Sequence, residues 1–422
     1  MLGLTLAWRL AARGHKVTVF EAAPALGGLT ASFSLGALYW DRYYHVIDAS
    51  DLGLLNLLGE LGLAQAVEWR RTRTLFFDGH ALYPLDNGLD YLRLPALAAL
   101  TKLRVALTIA LGARFGSAAA LESMSAAQWL TRWSGRKGYD GLWRPLLRSK
   151  LGANYDQISA AYIWAVIRRF YGARRGTAQT EHFGYMPGGY ARILATFSER
   201  LAAAGVQIKT GAAVRAVTRA ADGRPAIALE NETLAFDRVV LTCAAPQAAR
   251  LCVALPDAER TQHAKLRYQG VVCLSLLLRR PLGGGYMTYI TDETIPFTTV
   301  IEMSALTGSA AFDGHHLAYL PKYLPSDDAL FAADDETLRA QFVGALARMY
   351  PDFKETDIVA WRVARAPYVL ALPSLHYSRN LPPIATSQRG LYILNSAQIR
   401  NAALNVSESV VLANTALDEL EA

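Results

Sequence analysis

The sequence predicts an α/β fold of two interleaved lobes, and three observations carry that prediction. An amphipathic helix, Thr5 to Arg13, runs into an alternating strand, Val17-Thr18-Val19-Phe20, that ends on an acid, Glu21. A paired glycine, Gly27-Gly28, follows a few residues later. Far downstream, Gly390 to Leu394 reads as a strand, and a turn leads to Asn405 and a helix opening near Val406. Helix, strand and acid in this order form the second half of a Rossmann-like βαβ unit.

In a complete unit a buried strand feeds a glycine turn, and pyrophosphate sits on the N-terminus of the next helix. Gly3 fits the third glycine, which lets the helix pack closely, and Glu21 fits the acid that accepts from a ribose hydroxyl. The first strand and the first two glycines of G-x-G-x-x-G are missing from this sequence, so a strand ending in Gly-x-Gly is expected upstream in the reading frame, and weak nucleotide binding without it. Taken alone, the segment also fits an ordinary αβ hairpin with an incidental glutamate. The paired glycine favours the nucleotide reading, because it lets a second backbone stretch approach a diphosphate.

Gly3-Leu4, Gly14 to Ala22 and Leu26 to Phe33 together resemble the flavin-dependent amine oxidase, protoporphyrinogen oxidase and phytoene desaturase superfamily. The resemblance implies a discontinuous FAD-binding lobe, over residues 1–83, 183–250 and 381–422, and an α+β substrate lobe over 84–182 and 251–380. It implies cofactor contacts at Gly3, Glu21, Gly27, Gly28, Leu29, Thr30 and Arg42, and further along at Val214, Asn395, Ser396, Asn405 and Val406. Many relatives carry arginine where this chain has Leu29, which removes one phosphate contact and leaves the backbone amides. Val214 matches a valine whose backbone contacts adenine; a core valine of an edge strand is the alternative. The usual acid or glycine after the last strand is replaced by Asn395-Ser396, whose side chains can still hydrogen-bond a phosphate or ribityl hydroxyl.

Between these landmarks, leucines 54, 58 and 61 mark a helix ending at Gly62, and Thr74 to Asp78 with His80 to Tyr83 reads as a hairpin. Residues 84 to 182 read as mostly helical, with Ser125 and Gln128 forming a capping box. Pro187-Gly188-Gly189 precedes a helix with Tyr190, Ile193, Leu194, Phe197 and Leu201 on one face. Strands are expected at 206–209, 213–217, 226–229, 239–242 and 270–278, and a helix at 335–349.

Hydrophobic residues make up 52% and charged residues 19% of the 422, a globular composition with room for two lobes. Net charge is +7, but the basic residues are scattered, as at Arg70-Arg71, Arg168-Arg169 and Arg174-Arg175, which argues against nucleic acid and for acidic ligands or an anionic surface. Three cysteines, with no C-x-x-C pair, suit a reducing cytoplasm rather than a disulfide framework or a structural zinc site. Leu94 to Phe115 is apolar but carries Lys102, Arg104 and Arg114, which excludes a spanning helix. A buried amphipathic helix is the simpler reading of that stretch, and a peripheral membrane contact the other.

Two residues stand out for chemistry. His45 follows Asp41-Arg42-Tyr43-Tyr44, in the loop that lies against the flavin ring in relatives, and is a candidate acid/base or flavin-polarising group. The alternative is a histidine bonded to backbone between packed tyrosines. Lys150 lies in an apolar helical context and could bind an anionic substrate or sit near the flavin; a solvated lysine with a snorkelling stem is the alternative. Arg144 and Arg148, four apart, could clamp a carboxylate or phosphate, or form a solvated stripe. No metal-ligand, Ser-His-Asp or P-loop pattern competes.

The reading implied is an FAD-dependent oxidoreductase acting on a small molecule, with hydride passing from an amine, polyene or ring carbon to flavin N5. The alternatives are a non-redox flavoenzyme of the UDP-galactopyranose mutase type and a non-catalytic family member.

Overall fold

The computed structural model describes residues 1–95, 97–172, 182–400 and 404–421. Arg174-Arg175 lie outside them. The first helix, Leu2–Ala12, forms where leucines and alanines recur at helical spacing, and it is a hub rather than a surface element. Leu4 and Ala7 pack with Leu54, Leu58 and Phe197, while Leu6 faces Tyr392, Ala413 and Leu417 of the C-terminal segment. Trp8 meets Phe197 edge-on at 5.5 Å. Arg9 clamps both carboxylate oxygens of Glu60, at 2.6 and 2.9 Å, at the end of helix Leu52–Glu60.

The nucleotide side is built from two parallel strand pairs. Thr18–Phe20 pairs with Gln207–Lys209, and Val239–Leu241 pairs with Leu391–Ile393. Among the described residues neither pair is hydrogen-bonded to the other or to a further strand. Side chains join them instead: Phe20 packs on Phe236 at 5.9 Å and shares a cluster with Val239, Leu241 and Ile393. Helix Gly189–Ala203 and helix Val406–Glu421 flank this layer.

The other side centres on a seven-stranded sheet. Its order is Ile358–Ala371, Tyr268–Leu278, His316–Pro325, Thr299–Glu302, Met287–Ile290, Thr74–Phe77 and Leu82–Pro84. All neighbours are antiparallel except Met287–Ile290 with Thr74–Phe77. Tyr268–Leu278 is buried along its whole length, as an apolar run in a sheet covered on both faces should be. One face packs on helix Asp335–Met349 through Phe342 and Leu346, and the other turns Cys273, Tyr319 and Tyr323 toward the nucleotide side. A helical bundle from Ala99 to Gly172 closes one end through Trp129, Trp143 and Ile163.

Several sequence expectations need correction. The helix of Leu94 to Phe115 forms only over Ala99–Arg114, the second of two: Gly88–Arg93 ends at Leu94, and Lys102 Nζ donates to Leu92 O at 2.6 Å across the break. That second helix is not simply buried either. Lys102, Val105 and Thr108 face inward, while Leu100, Leu103 and Leu107 are exposed. Strand 213–217 begins instead at Ala216, which leaves Val214 in a loop. The capping box at Ser125 and the helix at Asp335–Met349 form as expected. Among the described residues no helix is long and apolar enough to cross a membrane.

Gly270 sits where the pairing register shifts between Gln269 and Val271, and a Cβ there would lie 2.5 Å from Phe331 Cζ and 2.6 Å from Ala366 O. Gly270→Ala is therefore expected to cost about 1–3 kcal/mol through overpacking against backbone. Gly344→Ala, in a helix with nothing within 4 Å of its Cβ, should leave stability unchanged or raise it by up to about 1 kcal/mol. Urea unfolding of the two variants checks both signs.

Candidate functional site

The paired glycine supplies a backbone loop no other residue type could form. Gly27 and Gly28 both have positive φ, 127° and 58°. A Cβ on Gly27 would lie 2.8 Å from Leu194 Cδ1, whereas Gly28 faces open space with nothing within 4 Å. Thr30 closes the turn, its hydroxyl donating to Gly27 O at 2.9 Å, so it shapes the loop from inside. Leu29 packs with Tyr43 and Tyr185. The backbone N–H of Arg42 donates to Ala31 O at 3.0 Å and ties the glycine loop to the 41–45 loop.

Asp41 anchors that second loop. Its carboxylate accepts from Tyr190 N at 2.8 Å, capping helix Gly189–Ala203, and from Ser32 Oγ at 3.2 Å. Its backbone O accepts from Tyr319 OH at 2.6 Å, a bond to the long sheet. Gly189, at φ 68°, has to be glycine, since a Cβ would sit 2.8 Å from Asp41 Oδ1. Burial pushes the Asp41 carboxyl up to about 7, against the two hydrogen bonds that favour its ionised form.

The 41–45 loop then presents Tyr44 and His45. Tyr44 OH and Tyr323 OH are 2.7 Å apart, and the Tyr44 and Tyr319 rings lie 6.3 Å apart. Burial raises the Tyr44 phenol well above its usual value and Tyr323 to about 12, so both stay protonated at neutral pH. His45 Nδ1 lies 3.0 Å from Tyr43 O, and the ring sits 4.9 Å from Tyr190. A carbonyl can only accept, so Nδ1 carries the proton and Nε2 is left as an acceptor. Burial lowers His45 to about 4, which makes it a neutral imidazole and not a cation. His45 is thus bonded to backbone among tyrosines, the alternative reading of this residue, with Nε2 not engaged in a hydrogen bond among the described residues.

Lys150 reaches the same place from helix Arg144–Leu151, its Nζ 5.2 Å from the centre of the Tyr323 ring. Its side chain is exposed to water, yet it is set deep within the protein mass. Tyr44, His45 and Tyr323 are half-buried and equally deep. Tyr323 brings Tyr44 and Lys150 together, and His45 follows Tyr44 in the chain. An open hollow of about 540 Å³ lies against helix Gly189–Ala203, between Leu26, Leu194 and Ile208, with Tyr39 as the titratable residue of its lining. Arg144 and Arg148 do not form a clamp here, being engaged by Asp140 at 3.3 Å and Glu293 at 2.9 Å.

The remaining expected contacts divide. Glu21 spends one carboxylate oxygen on Ala23 N at 2.9 Å. A Cβ on Gly3 would meet Thr242 Oγ1 at 3.0 Å, a close approach of the first helix to the residue after strand Val239–Leu241. Val214 packs beside Phe20 from its loop. Asn395 is buried; its Oδ1 accepts from Tyr268 OH at 3.1 Å and Ala397 N at 3.0 Å, and its Nδ2 has no partner among the described residues. Ser396 also acts on the Tyr268 hydroxyl. Asn405 Oδ1 accepts from Glu408 N at 2.8 Å, capping the helix that Val406 opens. Sequence reading missed Asp41 and Tyr319; a lone aspartate and one tyrosine among 20 give no periodic or motif signal.

Residues 2–393 match the model of the flavin containing amine oxidoreductases. The chain belongs to that family. It is 26% identical over 179 residues to protoporphyrinogen oxidase 2, chloroplastic/mitochondrial, of Arabidopsis thaliana, a match over 40% of this chain and 35% of the plant protein. Its fold is similar to that of a candidate protoporphyrinogen oxidase from an Exiguobacterium species, with TM-score 0.77 and 19% identity over 100% of this chain and 96% of that one. It is also similar to reduced UDP-galactopyranose mutase, with TM-score 0.76 and 17% identity over 99% and 93% of the two chains. The family implies FAD, and the residues present fit it. Gly28 leaves room where a side chain would stand, and the buried Asn395 Nδ2 lacks an acceptor, which costs about 1–3 kcal/mol unless a ligand or water supplies one.

Asp41 makes stability pH-dependent in a predictable direction. The folded carboxyl holds its proton up to about 7, while the unfolded one releases it near 3.8. Between those values the native state binds more protons, so this contribution is present at low pH and is lost as pH rises through the folded value. Relative to Asp41→Asn, the wild type should gain stability as pH falls across that interval. Urea midpoints against pH test this; parallel curves would count against the assigned titration.

Proposed function

We propose that this protein is an FAD-dependent oxidoreductase that removes a hydride from a carbon of a small organic substrate. The observation that supports it is the cluster of Tyr44, His45, Lys150 and Tyr323 beside the glycine loop, which we read as the lining of a substrate cavity. FAD bound there supplies the hydride acceptor. Gly27, Gly28 and Leu29 would offer it backbone, Glu21 its free carboxylate oxygen, and Asn395 its unpaired Nδ2, with Gly3, Arg42, Val214, Ser396, Asn405 and Val406 completing the contacts. Of the chain's own groups, His45 Nε2 is the one poised to accept a proton, because its neutral ring is fixed by the bond to Tyr43 O. The hydrogen-bonded Tyr44 and Tyr323 phenols keep their protons and hold a flat substrate between aromatic walls.

Purified protein supplied with FAD is expected to show a bound chromophore absorbing at about 450 nm, the flavin band. Anaerobic bleaching against amines, polyenes and sugar nucleotides then separates oxidoreductase from mutase, since a mutase would bind a sugar nucleotide without net electron transfer. His45→Phe should keep the packing on Tyr190 and the flavin content while slowing substrate-driven bleaching by about 10²-fold. Unchanged bleaching would remove His45 from the chemistry.

We also infer a peripheral contact with an anionic bilayer. Leu100, Leu103, Leu107 and Phe115 are exposed on one segment, with exposed Arg93, Arg104 and Arg114 beside them. Leu103→Glu with Leu107→Glu should abolish co-sedimentation with vesicles containing about one-third phosphatidylserine. Equal sedimentation of variant and wild type would refute the contact.

A further inference from the structure

The cavity is charged in a way that selects among substrates. Helix Arg144–Leu151 carries three cations, and two are neutralised outside by Asp140 and Glu293. Lys150 alone turns inward. Among the described residues its ammonium has no carboxylate within ion-pair distance and no hydrogen bond; its contact is the Tyr323 ring at 5.2 Å. The charge that acts on it is another cation, Arg169, and burial and Arg169 together depress its proton affinity.

The acids nearby belong to Arg169 instead. One guanidinium nitrogen, Nη2, donates to both oxygens of Asp51, at 2.8 and 3.1 Å, and Asp51 in turn accepts from Asp48 N at 2.9 Å. Glu408 also lies in the field of Arg169 and Asp51. The other titratable groups around the cavity, Tyr44, Tyr162, Tyr190, Tyr323 and His45, are uncharged at neutral pH. Lys150 is thus open to water, beside the Tyr323 ring and without a counter-charge among the described residues. Desolvation without a counter-charge is costly, and an anion brought in by a ligand relieves it. A protonated amine would instead meet the like charge of Lys150, while Arg169 is matched by Asp51.

We infer that the substrate of this cavity bears an anionic group, carboxylate or phosphate, on a planar apolar body, and that Lys150 binds that group. This rests on the reading of the cavity as the substrate site. It narrows the substrate class: the planar body lies against Tyr44 and Tyr323, and an alkylamine is disfavoured although the family is named for amines.

Three probes share one ring and differ in charge: benzoate, phenyl phosphate and benzylamine. Calorimetric titration of the purified protein should show at least one of the two anions binding about tenfold or more tightly than benzylamine, and their ratio says which anion the site prefers. Lys150→Met should weaken the anion about 10- to 100-fold, the range of one charge-assisted hydrogen bond, without weakening benzylamine. Lys150→Arg should restore most of the affinity. Thermal melts show that the Met variant is folded; removing a charge that has no partner should not lower its midpoint. Benzylamine as the tightest probe, no binding of any probe, or anion affinity unmoved in Lys150→Met would overturn the inference. Flavin absorbance of the same preparations reports on the oxidoreductase reading separately: a colourless protein with Lys150-dependent benzoate binding keeps the anion site and sinks that reading.

Discussion

The buried carboxylate of Asp41 holds the site together. Three segments meet on this one residue. Its side chain caps helix Gly189–Ala203, its backbone O receives Tyr319 OH from the long sheet, and the next residue, Arg42, is bonded to Ala31 beside the glycine loop. The nucleotide side and the sheet side are therefore set against each other through hydrogen bonds that share an anchor. Everything downstream in the loop inherits that position: Tyr44 reaches Tyr323 because Asp41 is fixed, and His45 is held over Tyr190 for the same reason. A carboxyl that holds its proton up to about 7 is an unusual anchor: burial favours its neutral form, against the donors Tyr190 N–H and Ser32 Oγ–H that favour the ionised one.

Around this anchor the cavity separates its polar groups by state. His45 is neutral, and the tyrosines keep their protons, because burial penalises the charged form of each. Arg169 is matched to Asp51 and Glu408. Lys150 is left as the cation without a partner among the described residues. Such an arrangement positions flat molecules by aromatic contact and reads their charge at one end. Proton acceptance and charge recognition then fall to different residues, His45 and Lys150, which allows each to be altered without the other.

Much of the framework was legible in local pattern. The 3.6-residue period and cap residues placed helices Asp335–Met349 and Ala126–Gly138, and the apolar run 270–278 placed a buried strand. The paired glycine pointed to backbone exposed for a ligand, and positive φ at both residues is the physical reason glycine stands there. Where local pattern failed, a distant partner decided. Val214 lies in a loop because the antiparallel pairing with Pro225–Ala228 starts only at Ala216. Arg144 and Arg148 had the spacing of an anion clamp, but Asp140 and Glu293 already occupy them.

The sequence by itself determined the ligand class and the element order, because both follow from residues near one another in the chain: Gly3 and Glu21 around one helix and strand, Gly27 and Gly28 in one turn. Tertiary structure alone decided which side chains share the cavity. Tyr44 and Tyr323 are separated by 279 positions and Asp41 and Tyr319 by 278, and no periodicity spans such distances. It also decided the charge of each group. Burial and neighbours set the protonation of His45, Asp41 and Lys150, and these depend on what the folded chain packs around them rather than on residue type.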